Sequence, residues 1–260
     1  MQHRSHPRTE LDAVVAEQEL RSFSYIVSHD LAASLRHLTE FTRLLIKDLG
    51  DGVTGRQQAH AEHVRAAGEK CQAMLDQLLI FSRLQQKVLE WDLLDANLIV
   101  EASLRQFAAQ IKAPGSEISV ESLGQVHADA DLLGLAIRHL LDNAIKFRSP
   151  GAPLRIAVRA HHDDAWWRMR ITDGGVGVEA AYREKAFEMF GRLNGENVYP
   201  GVGAGLAICR RIARRHSGDV RFIDCAQGCC VELALPRRPV LHYDRHASPG
   251  RRRSSRRLAS

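Results

Sequence analysis

The sequence has 260 residues, of which 45% are hydrophobic and 26% charged, a composition typical of a globular protein with room for two modest domains. No window approaches 18 uninterrupted apolar residues, which excludes a membrane-spanning helix, and the start MQHRSHPRTELD lacks the apolar core of a signal peptide, which predicts a cytoplasmic protein. The net charge of +5 is concentrated in residues 237–260, and the remainder shows no basic, aromatic-interleaved face, which argues against specific nucleic-acid recognition.

The first predicted elements are two amphipathic helices with a short, glycine-rich connection, KDLGDGVTG. Apolar residues recur at steps of three and four in both, which predicts two helices with apolar seams and an antiparallel hairpin. The seam residues are Leu20, Phe23, Val27, Leu31, Leu38, Phe41 and Leu45 in the first helix and Val64, Ala67, Cys71, Met74, Leu78 and Phe81 in the second. Because one hairpin cannot cover both seams, we expect two copies to pair into a homodimeric four-helix bundle.

From Trp91 onward, strand and helix patterns mix without the regular alternation of a parallel doubly wound sheet. Helices are predicted in ANLIVEASLRQFAAQIK, DADLLGLAIRHLLDNAIKF and GLAICRRIARRHSG, and strands in SEISVES, LRIAVRAHH, WWRMRITD, DVRFIDC and CCVELALP. The sequence therefore predicts the α+β class, with helices packed on one face of a largely antiparallel sheet.

Two glycine motifs carry the chemistry of this second region. In ITDGGVGV an aspartate ends an apolar strand and three glycines follow, and GVGAGLAICRRI opens a helix with glycines. Glycines at a helix start let backbone amides approach phosphate oxygens, and the helix dipole favours the anion. Asn143 and Lys146, three residues apart in LLDNAIKF, share a helix face, so an amide and an ammonium point into one cleft.

These motifs together resemble those of the sensor histidine kinases of bacterial two-component systems, from about residue 20 to residue 236. SHDLAASLRHL is similar to the phosphoacceptor box, HLLDNAIKF to the asparagine box, DGGVGV to the first glycine box, AFEMFGRL to the phenylalanine box and GVGAGLAI to the second glycine box. The resemblance implies a dimeric helical hairpin joined to an α/β sandwich ATPase domain of the type shared with gyrase and the heat-shock chaperone ATPases.

The resemblance also implies roles for individual residues. Asp173 would accept a hydrogen bond from the adenine amino group, Asn143 would coordinate the Mg²⁺ that bridges the phosphates of ATP, and Lys146 would contact the triphosphate. Arg192 would stabilise charge on the transferring phosphoryl group. The remaining residues of the expected nucleotide site are Gly175 and Gly177 in the adenine wall, Phe187 and Phe190 as anchors of a flexible lid, and Gly201, Gly203, Gly205 and Leu206 over the phosphates.

His29 is the expected nucleophile. At 100° per residue it lies about 200° around the helix from Val27, so it faces solvent, away from the seam. A neutral imidazole nitrogen attacks a γ-phosphoryl group near pH 7. Asp30 would hold the ring tautomer and stabilise the imidazolium that forms.

The predicted organisation has four parts: residues 1–19 as a lead-in helix or linker, 20–90 as the dimerisation and phosphotransfer hairpin, 91–236 as the ATP-binding domain and 237–260 as a disordered basic tail. The predicted activity is that of an ATP:protein-L-histidine phosphotransferase, a phosphoprotein that passes its phosphoryl group to an aspartate of a response-regulator receiver domain. Sensor input would come from a separate partner or from a further segment.

Two alternatives remain open. One is a non-catalytic phosphotransfer scaffold with a decayed ATP site, favoured by His139 where the family usually has asparagine and by Ser34 where it commonly has proline. The other is a related ATPase that uses the nucleotide for conformational work. The His29–Asp30 helix argues against that ATPase, because such proteins need no phosphoacceptor.

Overall fold

The computed structural model describes residues 31–50, 54–112, 115–193 and 199–238. The predictions for His29, for Asp30, for residues 1–19 and for nearly all of the basic tail therefore lie outside the described residues. Among the helices described, none is long and apolar enough to cross a bilayer.

Two long helices open the described part: residues 31–49 (α1) and Gly55–Arg83 (α2). Thr54 starts α2 with a capping box, since its hydroxyl accepts from the Gln57 amide and the Gln57 side chain accepts from the Thr54 amide. The helices come closest at Gly68, where an added Cβ atom would overlap Cγ2 of Thr39. A larger residue at this position would require the Thr39 side chain to move.

Only part of the predicted seams is exposed in the single chain. Met74, Leu78 and Phe81 of α2 are half-buried, and Phe81 packs against the core of the second region. The side chains of Leu38, Phe41, Leu45 and Val64 are exposed in the single chain. Pairing of two copies into a four-helix bundle stays a prediction, because one chain carries no partner.

The second region is built on a five-stranded sheet in the order β2-β4-β5-β7-β6. The strands are Glu117–Val120 (β2), Arg155–His162 (β4), Trp166–Asp173 (β5), Asp219–Ile223 (β6) and Cys229–Pro236 (β7). Only β2 and β4 pair in parallel, and every other neighbour is antiparallel. The predicted α+β class with a largely antiparallel sheet is confirmed.

One face of the sheet forms the core. In register, Trp167 lies beside Leu235 and Met169 beside Leu233, and all four are buried. The indole nitrogen of Trp167 donates to the Leu123 carbonyl at 2.8 Å, which satisfies its one polar group. The helices that cover this face are Ala96–Gln106 (α3), Ala130–Lys146 (α5) and Gly205–Arg215 (α6), with a short helix, Ala108–Ile111 (α4), after α3.

A small second sheet was not predicted from the sequence. Asp92–Asp95 (β1) and Gln125–Ala128 (β3) pair antiparallel. Each strand has four residues, and the partners lie some thirty residues apart, so neither strand shows a clear alternating pattern.

A cluster of polar contacts ties the end of α2 to the sheet domain at Asp129, the N-cap of α5. The buried Asp129 carboxylate accepts from Lys87 Nζ at 2.8 Å and from the Glu90 amide at 3.1 Å, and its backbone amide donates to His216 Nε2 at 3.0 Å. Arg215 donates to the carbonyl oxygens of Leu84 and Lys87. We call these contacts the Asp129 latch.

Burial opposes ionisation of Asp129, yet the hydrogen bonds from Lys87 and the backbone amides hold its pKa below the ordinary value. Burial lowers the pKa of His216, which keeps its ring neutral, with Nδ1 within 2.8 Å of the Ile212 carbonyl oxygen. The latch is therefore a hydrogen-bonded network with a fixed histidine tautomer.

Candidate functional site

A cavity of about 530 Å³ lies between α5, α6, the end of β5 and the two glycine loops. Its size suits a ligand of drug or nucleotide dimensions. Most of the predicted site residues line it together: Asn143, Lys146, Asp173, Gly177, Arg192, Gly201, Gly203, Gly205 and Leu206. Gly175, Phe187 and Phe190, which were also predicted, do not line it.

One end of the cavity is formed by Asp173, the last residue of β5. Its Oδ1 atom accepts from the backbone amides of Gly175 at 2.8 Å and Cys229 at 3.3 Å, which fixes the carboxyl group at the strand end. Burial raises the pKa of Asp173 to about 6, against the effect of these two hydrogen bonds. An ionised Asp173 at neutral pH is thus a strong acceptor for an amino group that enters this end.

Close backbone contacts shape this end of the cavity. An added Cβ at Gly175 would overlap the Phe147 carbonyl oxygen, and one at Gly228 would overlap the Asp173 carbonyl oxygen. Gly177 and Gly228 also have positive φ angles of 72° and 68°, which glycine adopts without strain. The glycines hold the loop against the strand ends, so that a flat ligand has room beside Asp173.

The opposite end is basic. Lys146 stands in the last turn of α5, one turn after Asn143, and an added Cβ at Gly201 would lie 3.1 Å from its Nζ atom. Burial lowers the pKa of the Lys146 ammonium, Asp142 opposes this shift, and Arg192 adds to it. An anion beside Lys146 would relieve the cost of burying this charge.

The second glycine loop ends in an open helix N-terminus. Gly201 and Gly203 have φ angles of 110° and 78° and precede α6, which starts at Gly205. The N-cap residue Ala204 provides no side-chain hydrogen bond, and the amides of the first turn of α6 have no hydrogen-bond partner in the described part of the chain. Gly205 and Leu206 of this turn line the cavity. Free amides, a helix dipole and an ammonium together make an anion site suited to phosphate.

The segment between the glycine loops is anchored by Phe187 and held by Arg192. Phe187 is buried, packs on Phe222 with ring centroids 5.2 Å apart and lies 3.6 Å from the guanidinium of Arg210. Phe190 packs against the core with a positive φ of 63°. Arg192 donates to the carbonyl oxygens of Gly201 and Tyr199 at 2.9 Å, so its guanidinium joins the two sides of the loop.

Several wall residues were missed by sequence reasoning. Gln77 of α2, Tyr199 and Cys229 line the cavity, and Gly228 supports it from behind. Cys229 and Gly228 reach the site only because β7 pairs with β5, where Asp173 lies beside Cys229. A pairing across 56 residues leaves no local signal in the sequence.

His139 lies on the cavity wall, one turn before Asn143. Its ring is next to Gly205, where an added Cβ would lie 3.3 Å from Nδ1, and its Nε2 atom is buried with no hydrogen-bond partner in the described part of the chain. Burial lowers the pKa of His139, so its ring is neutral. The His139 side chain therefore lies at the end of the cavity suited to phosphate, beside the start of α6.

The sequence that surrounds the cavity matches a known family. Residues 128–239 match the model of the histidine kinase-, DNA gyrase B- and HSP90-like ATPases. Sensor protein KdpD of Escherichia coli is 30% identical over 224 residues, 85% of this chain and 25% of its own length. Sensor-like histidine kinase SenX3 of Mycolicibacterium smegmatis is 28% identical over 232 residues, 86% of this chain and 59% of its own. Phytochrome-like protein Cph1 of Synechocystis is 27% identical over 202 residues, and the chain spans 27% of its length.

Solved structures share the fold. Full-length ShkA in complex with AMPPNP superposes with a TM-score of 0.59 at 22% identity, over 82% of this chain and 44% of that one. Histidine kinase ThkA in complex with the response regulator TrrA superposes with a TM-score of 0.61 at 16% identity, over 91% of this chain and 69% of that one.

Proposed function

Because the chain belongs to the sensor histidine kinases and carries their ATPase domain over residues 128–239, we propose that it is an ATP:protein-L-histidine phosphotransferase. It would phosphorylate His29 from Mg·ATP and pass the phosphoryl group to an aspartate of a response-regulator receiver domain. The proposed organisation is a phosphotransfer hairpin over 20–90 and a nucleotide domain over 91–236.

The observation that best supports this proposal is that one cavity contains both an acidic acceptor and a basic, anion-binding group. A carboxylate that can accept from an amino group stands at one end, and an ammonium with free helix amides stands at the other. An adenine nucleotide has the complementary pattern: an amino group on a flat base, and phosphates at the far end. The scaffold alternative needs a decayed cavity, and this one retains both ends.

The side chains of the cavity divide the binding work. Asp173 would orient the base, and its ionised form is required because a protonated carboxyl loses acceptor capacity. Lys146 and the first amides of α6 would neutralise phosphate charge in a half-buried setting, where such contacts are stronger than in water. Arg192 would add positive charge next to the terminal phosphate.

Mg²⁺ fits the amide oxygen of Asn143. This side chain lies on the cavity wall beside Lys146 and makes no hydrogen bond within the described residues. An oxygen ligand with free lone pairs is what Mg²⁺ prefers, and the ion needs few protein ligands when phosphates supply the rest. When bound, it would neutralise charge on the phosphates.

The chemical step transfers the γ-phosphoryl group from oxygen to nitrogen. One imidazole nitrogen of His29 forms the P–N bond, the bond from the γ-phosphorus to the bridging oxygen breaks, and ADP leaves. Asp30 would accept the hydrogen bond of the other ring nitrogen and stabilise its proton during the transfer. A receiver aspartate then takes the phosphoryl group as an acyl phosphate and His29 returns to its neutral form.

The hairpin would work as a homodimer. The seam residues Leu38, Phe41 and Leu45 are exposed in the single chain and form a continuous apolar strip along α1. A second copy of the same hairpin offers the matching strip. Sensor input would reach α1 from a partner or from a further segment.

The decisive experiment incubates the chain with ATP labelled at the γ-phosphate, wild type beside His29→Gln. We expect a base-stable, acid-labile phosphoramidate on the wild type, none on His29→Gln, and slower labelling of Asp30→Asn. Added receiver domain should remove the label. Both variants should bind nucleotide as the wild type does, because neither residue is assigned a part in nucleotide binding.

Two outcomes would contradict the proposal. Equal labelling of wild type and His29→Gln would refute histidine phosphorylation at this position. ATP hydrolysis without any phosphohistidine would favour the conformational ATPase instead, and failure to bind nucleotide would favour the scaffold.

A further inference from the structure

The nucleotide cavity is closed on one side by α2, a helix of the proposed phosphotransfer hairpin. Ala73 and Gln77 of α2 line it together with Gly205 and Leu206 of α6. This places residues from outside the family-matched ATPase domain, which covers 128–239, in the wall of its ligand site.

The packing register between the two helices explains why Gln77 reaches the cavity. Near its end, α2 contacts α6 through Phe81, whose ring lies 5.2 Å from the Arg211 guanidinium, and Leu84, whose carbonyl accepts from Arg215. From the first pair to the second, the contact moves by about one turn along both helices, so α2 and α6 run in the same direction here. One turn back from Phe81 is Gln77, so it lies beside the first turn of α6, where the free amides are.

Two side chains in this wall each carry a polar atom with no partner among the described residues. Oε1 of Gln77 and Nε2 of His139 are both buried without a hydrogen bond in the described part of the chain. A buried polar atom without a partner is costly. Both side chains line the cavity, so a turn of either one toward a bound ligand would supply the missing hydrogen bond. A hydrated phosphate group would suit both atoms. Its oxygens can accept from the imidazole N–H of His139, and a water molecule bound to it can donate to the amide carbonyl of Gln77.

We propose that Gln77 and His139 bind the phosphate end of the nucleotide, so that α2 itself forms part of the nucleotide site. This inference rests on the proposed function, since it takes the ligand to be an adenine nucleotide. Nucleotide binding then holds α2 against α6, and displacement of α2 weakens nucleotide binding by the same factor.

The test measures binding of Mg·AMPPNP and of adenosine to the full chain by calorimetry and competition. Gln77→Leu should weaken Mg·AMPPNP about fivefold, the effect of one hydrogen bond, and leave adenosine unchanged. Gln77→Glu, nearly the same size, should weaken Mg·AMPPNP further by repelling the phosphates. His139→Leu should resemble Gln77→Leu.

Gln72→Leu is the matched control. Gln72 lies on the same helix and also has a buried, unpartnered Oε1, but it lines the groove between α1 and α2 with Leu35, Thr39 and Gly68. We expect wild-type affinity for both ligands in this variant. Affinity for Mg·AMPPNP unchanged in Gln77→Leu and Gln77→Glu would overturn the inference, as would an equal loss for adenosine or an equal loss in Gln72→Leu. A wild type that binds neither ligand would instead overturn the proposed function, and this inference with it.

Discussion

In the sheet domain the large apolar side chains of β5 and β7 are almost completely covered, whereas in α1 most of them remain in solvent. Trp167, Met169 and Leu233 are fully buried, but Phe41 is 66% exposed and Leu45 60%. The sheet domain completes its core within one chain. In the two helices only the small residues Ala32 and Gly68 are fully buried, and the apolar strip of α1 stays exposed.

This difference indicates what each region needs from outside. A domain with a finished core needs no further protein surface to complete it. A helical pair with an open apolar strip needs protein surface, and a second copy is the simplest source. Stability measurements on one region and association measurements on the other should therefore respond to different substitutions.

The largest expected effect is on the core of the sheet domain. Trp167→Ala removes a fully buried ring and its hydrogen bond to Leu123, and we expect a loss of about 3–5 kcal/mol in the free energy of unfolding. Phe41→Ala should change the unfolding of the sheet domain by less than about 0.5 kcal/mol. Denaturant titration measures both changes, followed by circular dichroism of the backbone, which does not rely on the tryptophan signal. Similar losses in the free energy of unfolding for the two variants would contradict the difference between the regions.

The next effect concerns association. Leu38→Asp places a charge in the apolar strip of each protomer, and we expect the dimer to weaken on the order of a hundredfold. Leu93→Asp is the control, since Leu93 of β1 is equally exposed, at 53%, outside the strip. Sedimentation over a concentration series decides. A monomeric wild type at micromolar concentration would contradict the predicted bundle.

A smaller effect tests the wall of the cavity. In Gly228→Ala the new Cβ overlaps the Asp173 carbonyl oxygen, in addition to the strain of a φ of 68°. Gly151→Ala carries the strain alone, because Gly151 has a φ of 76° and no atom within 4 Å of the added Cβ. We expect Gly151→Ala to cost about 1–2 kcal/mol and Gly228→Ala clearly more. Only Gly228→Ala should also weaken nucleotide binding.

The smallest effect is a pH dependence at the Asp173 end. Since Asp173 has a pKa of about 6, nucleotide affinity should fall as the carboxyl protonates, by up to tenfold per pH unit below 6. The raised pKa has the opposite effect on the free energy of unfolding without ligand. Protonation of Asp173 stabilises the fold fully below the ordinary pKa of 3.8, and this contribution is lost as the pH rises through 6. Asp173→Asn should bind nucleotide more weakly at pH 8 and lose the pH step. An unaltered step in this variant would assign it to another group.

Local patterns explain why much of the architecture could be predicted from the sequence. An aspartate N-cap and apolar residues on one face predict the α5 helix. Two alternating strands around a polar turn predict the β4–β5 hairpin. The cavity residues of the glycine loops were likewise predictable, since phosphate sites need glycines and a helix start in one stretch of chain.

What the sequence did not reveal depends on contacts between distant segments. Gly228 approaches Asp173 through the pairing of β7 with β5, and Gln77 enters the cavity through the packing of α2 on α6. Gln77 lies next to a seam position, where a polar residue usually means a solvated face. Arg192 was expected at the transferring phosphoryl group, which stays a prediction, and the structure shows its guanidinium donating to two loop carbonyls.

The Asp129 latch has a mechanical consequence. A connection between two domains acts as a free hinge only if its backbone groups can exchange their partners with water. Here the carbonyls of Leu84 and Lys87 are held by Arg215, and Lys87 and the Glu90 amide are held by Asp129. We therefore expect a twist of α2 to be transmitted through residues 84–90 to the first turn of α5 and the last turn of α6, the two helices whose other ends carry the proposed phosphate-binding residues.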